Sequence, residues 1–173
     1  VPPASESTDQ HRAEGAAMPS ARLAFITVSD TRTPATDKNG PWLRSEAAKA
    51  DLPVVLEDLV PDEPEAIREA LGKALVAQAD VVVFNGGTGM GTRDTTTDVI
   101  APLLDKPMPG FGELFRMLSW EEIGSAAMLS RAVAGRRHNT MVFVLPGSHA
   151  AVQLAWKRLI APELVHLMRE LHT

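Results

Sequence analysis

Between Val81 and Asp98 the chain reads VVVFNGGTGMGTRDTTTD, and this stretch carries most of its candidate chemistry. Gly86, Gly87, Gly89 and Gly91 leave the main chain free to take positive φ and open to close approach by a ligand. Thr88, Thr92, Thr95, Thr96 and Thr97 add hydroxyls, while Arg93 and Asp94 bring a cation and a carboxylate to the rim. Such a loop suits an anion, because unpaired backbone N–H groups and a helix start both favour negative charge. Spacing excludes two common phosphate loops. Gly86 and Gly91 stand at the separation of G-x-x-x-x-G-K-[ST], but Thr92 and Arg93 occupy the Lys and Ser/Thr positions. The dinucleotide fingerprint G-x-G-x-x-G needs a further glycine where Thr92 stands. A glycine-rich turn that binds nothing is the simpler alternative.

A loop of this kind needs a strand before it and a helix after it. Val81 to Phe84, rich in β-branched residues, predicts a buried strand, and Val99, Ile100, Leu103 and Leu104 continue a short helix opened by Thr95 to Asp98. Upstream, Leu23 to Val28 predicts a first strand that ends at Ser29, Asp30, Thr31 and Arg32. Polar groups at such an end can meet a ligand in an open α/β sheet, although Asp30 reads equally well as a turn residue bonding its own backbone. Pro41 to Ala50 predicts a helix and Val54 to Leu59 a second strand. Asp62 and Glu65 have capping-box spacing, which gives Asp62 a structural explanation as an N-cap worth about 1 kcal/mol. The helix behind it carries Ile67, Leu71, Ala74 and Leu75 on one stripe and ends near Ala79.

Downstream, Lys106 to Gly110 is proline-rich and predicts a turn. Phe111 to Glu122 predicts a helix, and part of the group Phe111, Leu114, Phe115, Met117 and Leu118 is expected between subunits rather than in the core. Ser125 to Ala134 is a further helix candidate ending at Gly135, with Arg136, Arg137 and His138 as a small basic turn. Met141 to Leu145 predicts another buried strand, closed by Pro146, Gly147 and Ser148, and so repeats the order strand, glycine turn, helix start. His149 to Leu159 is helical, and Pro162 starts or kinks a last helix through Leu171. Strands alternating with helices predict an α/β fold, a three-layer α/β/α sandwich with a mainly parallel sheet. Its candidate anion-binding strand ends are Gly86 to Thr92 and Gly147 to Ser148.

At 173 residues, with 45% hydrophobic residues and no apolar run near the roughly 18 needed to cross a bilayer, one soluble domain over 21–173 is expected. Val1 to Ser20 is small, polar and proline-containing, and predicts a disordered tail without the apolar segment of a secretory signal. A net charge of −5 speaks against nucleic acid as a partner, so any anion must be drawn by local N–H and Arg groups. The absence of cysteine excludes disulfides and thiolate metal sites and fits a cytoplasmic location.

The segments Asn85-Gly-Gly-Thr-Gly, Thr92-Arg-Asp-Thr, Pro109-Gly-Phe-Gly-Glu-Leu-Phe-Arg, Leu129-Ser-Arg-Ala-Val-Ala-Gly and Leu145-Pro-Gly-Ser resemble, in this order, the MoaB/Mog family of molybdenum cofactor biosynthesis proteins. The stretches FGELFRMLSWEEIG and PGSHAAVQLAWKRLIAPEL are more similar to the MoaB branch. The resemblance implies a molybdopterin-binding fold and a homo-oligomer, either a trimer or a hexamer of two trimers. It also implies transfer of AMP from Mg-ATP to the terminal phosphate of molybdopterin, with release of pyrophosphate. Asp62 and Asp94 match the family aspartates important for that reaction, with Asp94 the better ligand for Mg²⁺. By the same resemblance Ser29, Asp30, Gly86, Gly87, Thr88, Gly89, Thr92, Arg93, Thr96, Glu113, Ser130, Gly147 and Ser148 hold the pterin phosphate and nucleotide. Glu113 suits a pterin hydrogen-bond acceptor or, equally, a solvated helix-start residue. The alternative function is a molybdopterin-binding or scaffold protein of the same fold without turnover. A nicotinamide enzyme is disfavoured by the failed glycine spacing.

Overall fold

The computed structural model describes residues 21–172; the tail expected over Val1 to Ser20 lies outside them. The described chain folds into one six-stranded sheet in the order β2-β1-β3-β6-β5-β4. Its strands are β1 (Leu23–Val28), β2 (Val54–Val60), β3 (Val81–Asn85), β4 (Lys106–Pro107), β5 (Val133–Arg137) and β6 (Thr140–Leu145). Strand β1 pairs with β2 and β3, and β3 with β6, all in parallel, while β5 runs antiparallel to both of its neighbours, β6 and β4. Every residue of β1, β3 and β6 is buried, as expected of inner strands covered on both faces.

Among the described residues, six α-helices cover the sheet: α1 (Asn39–Lys49), α2 (Pro64–Val76), α3 (Thr96–Ile100), α4 (Pro109–Ile123), α5 (His149–Ala155) and α6 (Leu164–His172). Alternation along β3 divides the core between the two faces. Val81 and Val83 meet Leu43 of α1, Phe115 of α4, Val152 of α5 and Met168 of α6, whereas Val82 and Phe84 meet Ile67 and Leu71 of α2 and Ile100 of α3. The expected three layers and mainly parallel sheet are therefore present. Pro162 lies in a 3-10 turn, Ala161–Glu163, which follows a π-helical turn, Trp156–Ile160, and precedes α6.

Three local expectations are corrected. The helix expected over Ser125 to Ala134 is instead a 3-10 segment, Gly124–Leu129, followed by β5. Arg136 and Arg137 consequently lie in a strand, and the turn into β6 uses His138 at φ 52°. Gly135 is no helix cap: a Cβ there would stand 2.6 Å from the Lys106 carbonyl oxygen, so glycine admits the neighbouring strand. The expected turn at Lys106 to Gly110 contains β4, a two-residue edge strand whose lysine and proline discourage further pairing. Finally, Asp62 does not cap α2. Glu63 occupies that position without a side-chain cap, and Glu65 turns to Arg68 instead.

Candidate functional site

The strand order reverses between β1 and β3, since the chain leaves β1 for β2 on one side and returns to β3 on the other. Ligand crevices in open α/β sheets form at such a point, outside the carboxyl ends of the strands. A cleft of about 600 Å³ lies there. Its floor and near wall come from Ser29 to Arg32 after β1, Asp62 after β2, Gly86 to Gly89 with Arg93 and Asp94 after β3, and Pro146 to Ser148 after β6. Phe115, Ser119 and Ile123 of α4, with Leu129 and Ser130, make the opposite and more apolar wall.

Glycine is required where β3 opens into the loop. Gly86 sits at φ 109° and Gly87 at φ 64°. A Cβ on Gly86 would strike the Val28 carbonyl, and one on Gly87 would strike Thr96 Oγ1 and Asp62 Oδ2. Asp62 reaches this loop through long-range contacts. Its N–H donates to Asp30 Oδ1 at 3.0 Å, and its own Oδ1 accepts from Thr95 N at 3.0 Å and Thr95 Oγ1 at 2.8 Å. Asp94 lies one residue before Thr95 and folds back, its Oδ2 accepting the Gly91 N–H at 3.1 Å. Arg93 at the rim pairs with Asp30 at 2.9 Å, but its side chain is 73% exposed. An exposed pair of this kind is worth at most about 1 kcal/mol, so the guanidinium can exchange its partner for a ligand oxygen at little cost. Because α3 has only five residues, its dipole is weak, and the loop N–H groups must carry most of the attraction for an anion.

A buried polar network fixes the floor. Asn39 donates through Nδ2 to Asn85 Oδ1 at 2.7 Å and to the Gly147 carbonyl at 2.8 Å. Asn85 in turn donates to the Ile26 carbonyl and Thr27 Oγ1, and Thr27 donates to Asp37. With its amide nitrogen donating, Asn39 must accept at Oδ1 from His149 Nδ1, which leaves His149 Nε2 to accept from Gln153. Arg32 donates to the same Gly147 carbonyl at 2.7 Å. The glycine turns after β3 and β6 are thus locked together, and a Cβ on Gly147 would lie 3.2 Å from Gly86 Cα.

Most residues singled out in the sequence meet in this cleft: Ser29, Asp30, Asp62, Gly86, Gly87, Thr88, Gly89, Arg93, Asp94, Ser130, Gly147 and Ser148 line it. Ser148 also caps α5, its Oγ accepting from Ala151 N. Three others stand elsewhere. Thr92 is exposed and off the wall. Thr96 is buried behind the loop, where its N–H donates to the Gly87 carbonyl and its hydroxyl has no hydrogen-bond partner. Glu113 lines a separate cavity of about 320 Å³, with Arg116, Pro107 and Arg131. Sequence reasoning missed Asn39 and Arg131. Asn39 gave no signal, while Arg131 stood inside a quoted motif from which only Ser130 was taken.

The carboxylates of Asp30, Asp62 and Asp94 share the lining with the guanidinium groups of Arg32 and Arg93. No group of three or more acidic or histidine side chains among the described residues converges as a metal site. Asp62 and Asp94 supply the carboxylate oxygens in the cleft that could hold a hard cation of the kind that brings phosphate and water ligands with it, such as Mg²⁺.

The family described as "Probable molybdopterin binding domain" matches residues 24–166. Molybdenum cofactor biosynthesis protein B of Bacillus subtilis (strain 168) is 47% identical over 167 residues, which covers 95% of this chain and 97% of the relative. The protein of the same name from Bacillus cereus is 48% identical over 153 residues, covering 87% and 90%. Among solved structures, a crystal structure of Molybdenum cofactor biosynthesis protein B is similar with a TM-score of 0.85 at 46% identity, covering 89% of this chain and 97% of that one. The tungsten cofactor synthesizing protein MoaB from Pyrococcus furiosus is similar with a TM-score of 0.81 at 38% identity, covering 91% and 100%. The matched span contains every strand of the sheet except Leu23, the first residue of β1, and every loop of the cleft, and on these grounds the chain belongs to the MoaB family of molybdenum cofactor biosynthesis proteins.

Proposed function

We propose that this chain binds molybdopterin in the cleft and adenylylates it with Mg-ATP, releasing pyrophosphate. The observation that carries the reading is the meeting of Asp62 and Asp94 at one glycine loop, although they leave different strands. Asp62 binds Thr95, the residue next to Asp94. In the reaction an oxygen of the pterin's terminal phosphate attacks the α-phosphorus of ATP, and the bond from that phosphorus to the β-phosphate bridging oxygen breaks. The attacking monoester is mostly ionised at neutral pH, so the site needs no strong base. It needs alignment and charge neutralisation. The loop N–H groups, Thr88 and Ser148 hold phosphoryl oxygens, Arg93 and Arg32 balance their charge, and the exposed apolar side chains of Ile123 and Leu129 take the flat pterin. When bound with ATP, Mg²⁺ would supply Lewis-acid stabilisation of the transferred adenylyl group. Asp94 and Asp62 would hold that complex; without a cation, their charges would oppose a polyphosphate.

A second reading, molybdopterin binding without turnover, draws support from Asp94 itself, whose Oδ2 closes a turn onto Gly91. A single-turnover assay with molybdopterin, ATP and Mg²⁺ separates the two readings. Stoichiometric pyrophosphate and adenylylated pterin support the enzyme, whereas pterin binding without product supports the scaffold. We further propose a homo-oligomer, a trimer or a hexamer. Leu114, Met117, Trp120 and Ile123 of α4 are exposed in the single chain, and Met128 and Leu129 extend the apolar surface.

A further inference from the structure

The phosphate loop carries a brace that the proposed chemistry does not use. Arg131, at the end of the segment between α4 and β5, donates through Nε to the Gly89 carbonyl at 2.9 Å and the Thr88 carbonyl at 3.4 Å. One terminal nitrogen donates to the Asp94 carbonyl at 2.6 Å, and the other donates to both carboxylate oxygens of Asp98 at 2.7 and 2.9 Å. The Arg131 carbonyl is itself held by Thr97 Oγ1 at 2.9 Å. One side chain thereby ties both ends of the loop to α3, while Asp98 neutralises its charge locally. What Arg131 contributes to the cleft is therefore geometry rather than field.

In a trans peptide the carbonyl and the following N–H point in opposite directions, and no peptide bond among the described residues is cis. The Asp94–Thr95 peptide illustrates this: its carbonyl faces Arg131 and its N–H faces Asp62. Arg131 holds the Thr88 and Gly89 carbonyls in the same way, so the N–H groups of Gly89 and Met90 point away from its guanidinium, and of these two residues Gly89 lines the cleft. We propose that Arg131 is a positioning residue that sets the peptide orientation of residues 88–95, so that these N–H groups meet phosphoryl oxygens of a nucleoside triphosphate. This rests on the phosphate-binding reading of the cleft and adds to it the residue that builds the site.

Lysine retains the charge but cannot fork to carbonyls on both sides of the loop. The test uses the full chain as wild type, Arg131→Lys and Arg131→Ala. It reads Mg-ATP affinity by calorimetry, ligand-free melting temperature, and ligand-free amide exchange over 86–95. Both variants are expected to bind Mg-ATP at least about tenfold more weakly, a change of about 1.4 kcal/mol. Loop exchange should accelerate, and methylguanidinium should restore affinity to Arg131→Ala but not to Arg131→Lys. Wild-type affinity in Arg131→Lys would overturn the proposal, since charge alone would then suffice. If Arg131→Ala fails to fold, Arg131→Lys decides alone. If wild type itself does not bind Mg-ATP, the functional reading fails, and exchange then judges the brace: unchanged loop protection in Arg131→Lys overturns it, whereas faster exchange at an unchanged melting temperature supports it.

Discussion

Asp62 and Asp94 are held differently, and the difference makes their substitutions informative. Asp62 is anchored through its N–H to Asp30 and through Oδ1 to Thr95, while the Asp94 side chain bonds to Gly91 within its own loop and its carbonyl accepts from Arg131. Asparagine preserves an oxygen acceptor at either position and removes the charge. Asp62→Asn and Asp94→Asn should therefore keep the fold and pterin binding while adenylyl transfer falls by roughly a hundredfold or more, read in single turnover. Turnover at the wild-type rate in both would make the two aspartates structural. Thr88→Ala should weaken phosphate binding by about 1.5–3 kcal/mol, measured by calorimetry, because a hydrogen bond to a charged oxygen is lost. Equal affinity would remove Thr88 from the site. Family resemblance marks Asp62 as a candidate site residue and the structure places it in the cleft, but its partners were not legible. Capping-box spacing considers only local contacts, whereas the group that claims Asp62 is Thr95, 33 residues further on. Asn39 and Arg131 were illegible for the same reason, since their bonds span up to 110 and 43 residues respectively.

The inner strands could be read directly, because β1, β3 and β6 are apolar runs buried on both faces and bounded by turn residues. Ser125 to Ala134 reads as helical because its alanine-rich composition favours a helix locally, yet it forms a 3-10 segment and the start of β5. Pairing with β6 overrides that preference and cannot be read within the segment. Helix α4 is present, and of the apolar group expected in part between subunits, Phe111, Phe115 and Leu118 are buried within the chain whereas Leu114 and Met117 are exposed. Phe115 is 1% exposed and packs against Phe111, so Phe115→Glu should unfold the chain rather than give monomers. Leu114 at 48% and Met117 at 54% exposure are the sound probes. Leu114→Glu should lower the sedimentation coefficient at an unchanged circular dichroism spectrum; an intact oligomer would place the interface elsewhere. At the β5–β6 turn, Asp105 is held below the ordinary carboxylate range, chiefly by the His138 N–H and also by Arg137. A depressed folded-state pKa gives stability that is present above the unfolded value and lost as pH falls through the folded one. Asp105→Asn should therefore lower the melting temperature at neutral pH, with the difference closing in acid. A difference that persists in acid would assign the effect to packing.

The arrangement of the sheet explains why the cleft contains residues so scattered in sequence. Parallel strands send all their carboxyl ends to one edge, and the reversal of order between β1 and β3 opens a gap there. Alternating strands and helices made this edge predictable and brought Ser29, Asp62, Gly87 and Gly147 to one place. The register that leaves Thr96 behind the loop and sends Glu113 to another cavity was not predictable, because it depends on how α3 and α4 pack. Within the cleft, carboxylates from three strand ends face two guanidinium groups, a balance that suits a metal-bound polyphosphate better than a bare one. No helix among the described residues is long and apolar enough to cross a membrane. We propose that this edge of the sheet transfers an adenylyl group rather than merely holding a pterin. The most direct test is pyrophosphate release in a single turnover of the full chain with molybdopterin, ATP and Mg²⁺. The account predicts one pyrophosphate and one adenylylated pterin per occupied cleft, both abolished by chelating the metal. Normal pterin binding with no pyrophosphate released would contradict it.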